Sequence, residues 1–241
     1  MTPMNWSPAF GASFFDFPPY RLSGVVYGTL MNHAPALAAL GNAASAPPYK
    51  APPQAPVLYI KPRNTLNHDG AMICLPQDVQ ALEVGAALGL VIGKPACRLT
   101  RENALDHLAG YTVVNDISVP HSSFYRPAIQ FKAHDGFCPL SQRVTAAQEV
   151  KDPNHLKVKV WMDGALVHET TTHHRVRDVQ QLMVDVTEFM TLQPGDVLMI
   201  GVSAGAPLVK AGQLVEIEIE QVGRLQNTFG KALNDASGVT P

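Results

Sequence analysis

Residues 214–222 read LVEIEIEQV, with Val215, Ile217 and Ile219 alternating against Glu216, Glu218 and Glu220. Successive side chains of a strand point to opposite faces, so this stretch makes a strand with one face in a core and one in water. A chain that carries it has to supply an apolar layer to cover the inner face.

Other stretches supply further strands. AALGLVIG (86–93) is a short apolar run, consistent with a strand buried on both faces. GVVYGTLMN (24–32), VLYIKP and YTVVNDIS are apolar and β-prone. VKVWMDGALVHETTT reads as a hairpin, with Asp163-Gly164 as the two-residue turn that suits a right-twisted ribbon. The Ala- and Pro-rich stretch 42–56 can neither continue a helix nor join a central strand, so it is a loop. Helices are few. HAPALAALG predicts a short one ending at Gly41. TRENALDHLAG predicts another, with Thr100 as N-cap and Gly110 as stop. The clearest lies near 176–190, where Val179, Leu182, Met183, Val186, Phe189 and Met190 make the stripe of a helix packed on a sheet. Pro194-Gly195-Asp196 then turns the chain into VLMIG. Many strands, two or three short helices and no regular βαβ alternation predict a β-rich α+β domain. Its expected bounds are 24–230, with an N-terminal extension (1–23) and a C-terminal tail (231–241).

Composition excludes several classes of function. Charged residues make up 16% of the chain and the formal charge is -2, against the basic excess of a nucleic-acid binder. No run approaches ~20 apolar residues, so no membrane-spanning helix is expected. The N-terminus lacks the basic segment of a signal peptide, and Cys74, Cys97 and Cys138 are odd in number without CxxC spacing. These features predict a cytoplasmic protein with reduced, buried thiols. No nucleotide loop, zinc spacing, nucleophile elbow or internal repeat is present.

Against this sparing use of charge, residues 110–140 gather Asn115, Asp116, His121, Tyr125, Arg126, Lys132, His134 and Asp135. The order of motifs is also distinctive. A strand ending VIGK leads to GYTVVND, a Lys-bearing loop, PGDVLMIG and a closing VEIEIEQVGRLQN. This order resembles the fumarylacetoacetate hydrolase family over about residues 24–230. PYKAPP, YIKPRNT and SFYRPAI…K…DGFCP resemble one branch of it, the bifunctional isomerase/decarboxylases of homoprotocatechuate (4-hydroxyphenylacetate) breakdown. Within that branch the chain looks like the N-terminal of two repeats, standing alone.

The resemblance implies a mixed β-sandwich roll, usually dimeric, that acts on 2-oxo and 2-enol acids. It implies a Mg²⁺ or Mn²⁺ ion, held by two Glu and one Asp, that chelates the substrate and acts as a Lewis acid. Residue by residue, the Asp position is Asp116, but the two Glu positions are Gly85 and Ala87. Glu83, two residues before Gly85, shares its strand face and reads as a solvated loop residue, the alternative being a bulge that brings it into the site. The family's acid/base His and Glu fall on Ala36 and Ala39, with His33 nearby as a likewise open substitute for the lost acid/base residue. Lys132 falls on the family's loop lysine, a catalytic candidate, and Arg126 suits a second carboxylate, with Tyr125 beside it. In the family's substrate loop, here IGVSAGA (200–206), Val202 takes the hydroxyl position while Gly205 is kept. His121 and His134 match no family role and read as surface residues.

The expected function is that of a subunit in a decarboxylase/isomerase of a small dicarboxylate or 2-oxoacid, as a homodimer or a heteromer with a paralogous subunit. Two alternatives stay open. One is a non-catalytic structural or ligand-sensing partner of an active paralogue. The other is a stand-alone metal-dependent hydrolase or decarboxylase with a rearranged site. The loss of two metal ligands predicts that Asp116 does not hold a metal by itself.

Overall fold

The computed structural model describes residues 25–121 and 129–231, with the backbone of 16–17 and 20–21. The larger of its sheets has 8 strands. These are β3 (Val26–Leu30), β4 (Val57–Lys61), β5 (Leu66–His68), β8 (Ala86–Ile92), β9 (Leu108–Asn115), β10 (Cys138–Leu140), β11 (Thr145–Ala146) and β14 (Val197–Met199). They run in the order β4-β3-β14-β8-β9-β10-β5, with β11 also on β9. The second sheet has 5 strands, β6 (Met72–Leu75), β12 (Lys157–Met162), β13 (Ala165–Thr171), β16 (Leu214–Ile219) and β17 (Gly223–Lys231), ordered β13-β12-β16-β17-β6. Two small pairs complete the strands, β1 (Asp16–Phe17) with β2 (Tyr20–Arg21), and β7 (Leu82–Glu83) with β15 (Leu208–Val209). Most pairings are antiparallel, but β14 with β3, β10 with β5 and β17 with β6 are parallel, so both main sheets are mixed.

Among the described residues the α-helices are α1 (Ala34–Ala39), α2 (Ile129–Lys132) and α3 (Val179–Thr187). This is the expected β-rich roll with few helices. The core follows from the patterns. Val215, Ile217 and Ile219 of β16 turn inward and meet Leu88, Leu90 and Ile92 of β8 and the buried stripe of α3 in one apolar cluster. Asp178 caps α3, its side chain accepting from the N–H of Gln181 at 2.8 Å. β8 is buried at every residue, and its other face puts Ala87 and Val91 into a second cluster with Val26, Tyr59, Cys138 and Val197. Tyr59 sits on β4 and Cys138 on β10, far apart in the strand order, so the 8-stranded sheet curls on itself. That curl places the functional site. Asp163 and Gly164 both take positive φ at the tip of β12–β13, as the two-residue turn requires.

Three expectations are corrected. TRENALDHLAG is not an α-helix; it holds a short 3₁₀ turn at Ala104–His107, and β9 begins at Leu108 and runs through Gly110. The residues after the turn are claimed by the ladder, Leu108 opposite Ile92 and Gly110 opposite Val91. Asn103 accepts from the Thr100 N–H and closes a turn instead of a helix start. Phe189 lies past the end of α3 and is 66% exposed, so the apolar stripe ends earlier than its period suggests. Of the cysteines only Cys138 is buried; Cys74 and Cys97 are exposed.

Candidate functional site

The site begins with an inversion of polarity on β4. Ile60 is 53% exposed while Tyr59 and Lys61, on the opposite face, are buried, Lys61 completely. Tyr59 fits because Gly28 lies across from it on β3. A side chain at Gly28 would collide with the ring. Lys61 fits because its ammonium has partners. It donates to the Lys132 carbonyl at 2.7 Å and lies 3.4 Å from the Ile117 carbonyl. It also stands 3.0 Å from Asp116 Oδ1, an ion pair whose alignment falls short of a hydrogen bond.

Asp116 is the hub. It follows β9, is 2% exposed, and has Lys132 Nζ 2.8 Å from its Oδ2. The Tyr59 hydroxyl also donates to Oδ2. Burial by itself would raise the Asp116 carboxyl, but the Lys132 and Lys61 charges outweigh it and hold the group well below the usual carboxylate range. Burial first, then the Asp116 charge, pushes the Tyr59 phenol well above its ordinary value, so it stays a neutral donor. Two ammoniums against one carboxylate leave this buried cluster with one net positive charge. Beside it burial pushes the Cys138 thiol up to about 12, which makes it inert as a nucleophile.

The cluster opens on a cavity of about 200 Å³. Tyr59, Asp116 and Lys132 line one part of it. Glu83, Gly85 and His121 line it as well, as do His33, Ala36 and the loop Val202–Ala206. Glu83 is thus no solvated loop residue. It is the last residue of β7, tied to Ser118 by backbone hydrogen bonds, and faces the cavity half-buried. Burial raises its carboxyl; His121 and Lys132 oppose that and Asp116 adds to it. His121 is no simple surface residue either. It lines the cavity, stacks on Phe131 at 5.0 Å between ring centroids and has its Nδ1 2.9 Å from the Val119 carbonyl. His134 stays at the periphery against Phe137. His33 precedes α1 and its Nδ1 accepts from the Ala204 N–H at 3.2 Å. Burial, then the charge of Arg175, lowers its pKa, so the ring is held neutral. Ala36 lines the cavity while Ala39 points to solvent. Gly205 takes a positive φ at the cavity wall. Tyr125 and Arg126 lie outside the described residues.

Sequence reasoning missed Lys61 and Tyr59. The signal was there: an alternating strand that puts a lysine and a tyrosine on one face, opposite a glycine on the next strand. It also missed Arg175 and Ser203, which are joined by a 3.1 Å hydrogen bond behind the cavity.

Residues 25–230 match the family described as Fumarylacetoacetate (FAA) hydrolase C-terminal, and the chain belongs to that family. It is 36% identical over 206 residues to the 4-hydroxyphenylacetate degradation bifunctional isomerase/decarboxylase of Salmonella dublin, covering 86% of this chain and 47% of that one. The chain thus spans about half the length of the curated relatives it matches. Its fold superposes on 5-carboxymethyl-2-hydroxymuconate delta-isomerase from Mycobacterium smegmatis with a TM-score of 0.74 at 25% identity, over 88% of this chain and 81% of that one. Fumarylpyruvate hydrolase from Pseudomonas aeruginosa, in complex with Mn²⁺ and pyruvate, shares the fold at 21% identity and a TM-score of 0.75, over 88% and 91% of the two chains.

A divalent metal is what the resemblance implies, and the described residues of this chain do not fit one. A Cβ at Gly85 would stand 2.2 Å from the Asp116 carbonyl oxygen, so this backbone leaves no room there for a ligand side chain. Ala87 is packed in the second apolar cluster. Both Asp116 oxygens already face cations. Among the described residues no group of three His, Cys, Asp or Glu side chains is placed to hold an ion.

Proposed function

We propose that this chain is one half of a decarboxylase/isomerase of 4-hydroxyphenylacetate catabolism, in which its own metal site is degenerate. The holoenzyme would decarboxylate 5-oxopent-3-ene-1,2,5-tricarboxylate and isomerise the resulting 2-hydroxyhepta-2,4-diene-1,7-dioate. Its partner is a second copy or a paralogous half bearing the complete metal site, and the assembly is cytoplasmic. The relatives named above support the reaction class. The observation that carries the rest is the Asp116 centre, where Lys61 and Lys132 supply, as fixed ammoniums, the positive charge that a metal supplies elsewhere in the family.

Such a centre can still hold an acid. Lys132 reaches the cavity and uses one donor on Asp116, leaving others for a substrate carboxylate or enolate oxygen. Glu83 faces the same space with a raised pKa, a carboxyl suited to passing a proton. The same centre favours a second reading, a ligand-sensing partner that binds the acid and leaves the chemistry to the other half.

The test is turnover by the purified chain, with and without the paralogous half, in Mg²⁺. Turnover by the mixture alone supports the proposal, and binding without any contribution to turnover favours the sensing role. Calorimetry adds an independent check. No Asp116-dependent Mg²⁺ binding is expected, and a micromolar isotherm abolished by Asp116→Ala overturns the degenerate-site reading.

A further inference from the structure

Away from the Asp116 cluster, a charge lies behind the cavity wall with no counter-charge among the described residues. Arg175 is largely withdrawn from water, and burial brings its guanidinium down only to about 10, so it stays charged at neutral pH. Its Nη2 donates to Ser203 Oγ at 3.1 Å. Its Nε and Nη1 are buried and have no partner among the described residues, and no carboxylate there pairs with it. Such a charge is costly to keep, and removing it is often neutral or stabilising. Its retention calls for a role.

Ser203 shows what that role is. It is 6% exposed and lines the cavity. Its oxygen accepts from Arg175, so its own proton is left to donate elsewhere, and the cation behind the oxygen polarises the O–H as a donor. Thr29 lines the same cavity, and its hydroxyl is buried without a partner among the described residues. The two residues belong to adjoining backbone, since a Cβ on Gly201 would stand 2.8 Å from the Thr29 carbonyl oxygen. Two hydroxyls with spare protons and an uncompensated guanidinium behind one of them make a receptor for an anion. A carboxylate accepts from both hydroxyls and neutralises the charge.

We infer that Ser203 and Thr29, with Arg175 as the positioning cation behind Ser203, bind a second carboxylate of the ligand, so that the cavity selects diacids over monoacids. This rests on the reading of the Lys132 end as the first carboxylate site. His33, whose ring accepts the N–H of Ala204 next to Ser203, holds the loop in place and stays neutral, so Arg175 is the cation behind this wall.

The experiment is ligand-detected NMR titration of the full chain with glutarate and with its monomethyl ester, on wild type, Ser203→Ala, Arg175→Met and Arg175→Lys, alongside thermal unfolding. Glutarate is expected to bind roughly tenfold or more tightly than the ester, as suits one charge-assisted contact. Ser203→Ala and Arg175→Met should bring glutarate down to the ester's affinity and leave the ester unchanged. Arg175→Lys should restore part of the preference. Arg175→Met should unfold at or above the wild-type temperature, because a purely structural arginine would give the reverse pattern of lower stability with unchanged selectivity. Equal binding of glutarate and ester by wild type overturns this inference while the Lys132 site stands. Failure of wild type to bind either ligand overturns both.

Discussion

β4 and β16 both alternate, and they alternate in opposite senses. β16 turns Val215, Ile217 and Ile219 into the core and leaves Glu216 and Glu218 half-exposed beside Arg224. β4 turns Tyr59 and Lys61 inward and leaves Ile60 in water. The strand period says which residues share a face, but not which face is buried. On β16 hydrophobicity decides, because nothing else competes. On β4 a carboxylate far along the chain decides, because Asp116 gives a buried lysine somewhere to put its charge.

The contrast between the two strands depends most strongly on Asp116. Asp116→Asn keeps the shape and leaves two buried ammoniums without their counter-charge. Loss of one partner of a buried ion pair costs about 3–5 kcal/mol, so the variant should be much less stable in urea denaturation. Glu218→Gln on the wet face of β16, whose partner Arg224 is exposed, should change stability by less than about 1 kcal/mol. The acid limb gives a second check. The folded Asp116 pKa is depressed, so its stabilisation is fully present above the unfolded carboxylate value of about 3.9. It is lost as pH falls below that value toward the folded pKa. Wild type should therefore lose stability below about pH 4 more steeply than Asp116→Asn. Parallel acid limbs would mean that the lysines do not hold the carboxylate ionised.

What was legible in the sequence divides along the same line. The wet and dry faces of β16, the buried run of β8, the hairpin turn at Asp163-Gly164 and the stripe of α3 all follow from local pattern, since each element's own residues state which side is apolar. The family's motif order led to Asp116, which lines the cavity. Period alone put Lys61 and Tyr59 on one face of β4, but that this face is the buried one was not legible, nor were Arg175 and Ser203. The charge partner of Lys61 is brought near by the curl of the large sheet, and Arg175 meets Ser203 only through the loop after β14. The failed helix at 100–110 has the same origin. Its local signals were good, and pairing with β8 overrode them.

Glu83 tests the cavity side of the comparison with a smaller effect. Its carboxyl is raised, chiefly by burial, with Asp116 adding to the rise while His121 and Lys132 oppose it. A dicarboxylate bound alongside raises it further, so binding is coupled to proton uptake. Affinity should be highest below the raised pKa and fall severalfold as pH rises through it. In Glu83→Gln that part of the dependence should vanish, leaving only what the ligand and the other groups contribute. The measurement is the pH profile of glutarate affinity for both proteins, and superimposable profiles would remove Glu83 from the binding site.

The smallest effect, at Ile60, is the most direct test of the inversion when the same chemical change is also made at Ile217. Ile→Thr removes apolar surface and adds a hydroxyl while keeping a β-branched residue, so strand propensity changes little. At Ile217, 1% exposed in the middle of β16, the lost packing and the buried hydroxyl should cost about 2–4 kcal/mol. At Ile60 the side chain is already half in water, and the hydroxyl can be solvated. The cost there should stay within about 0.5 kcal/mol, as for other exposed positions. Equal losses at the two sites, measured by urea denaturation at dilutions spanning the assembly equilibrium, would show that Ile60 is covered in solution. A loss at Ile60 that fades on dilution would assign that cover to a partner subunit, making the exposed face of β4 part of the contact between halves.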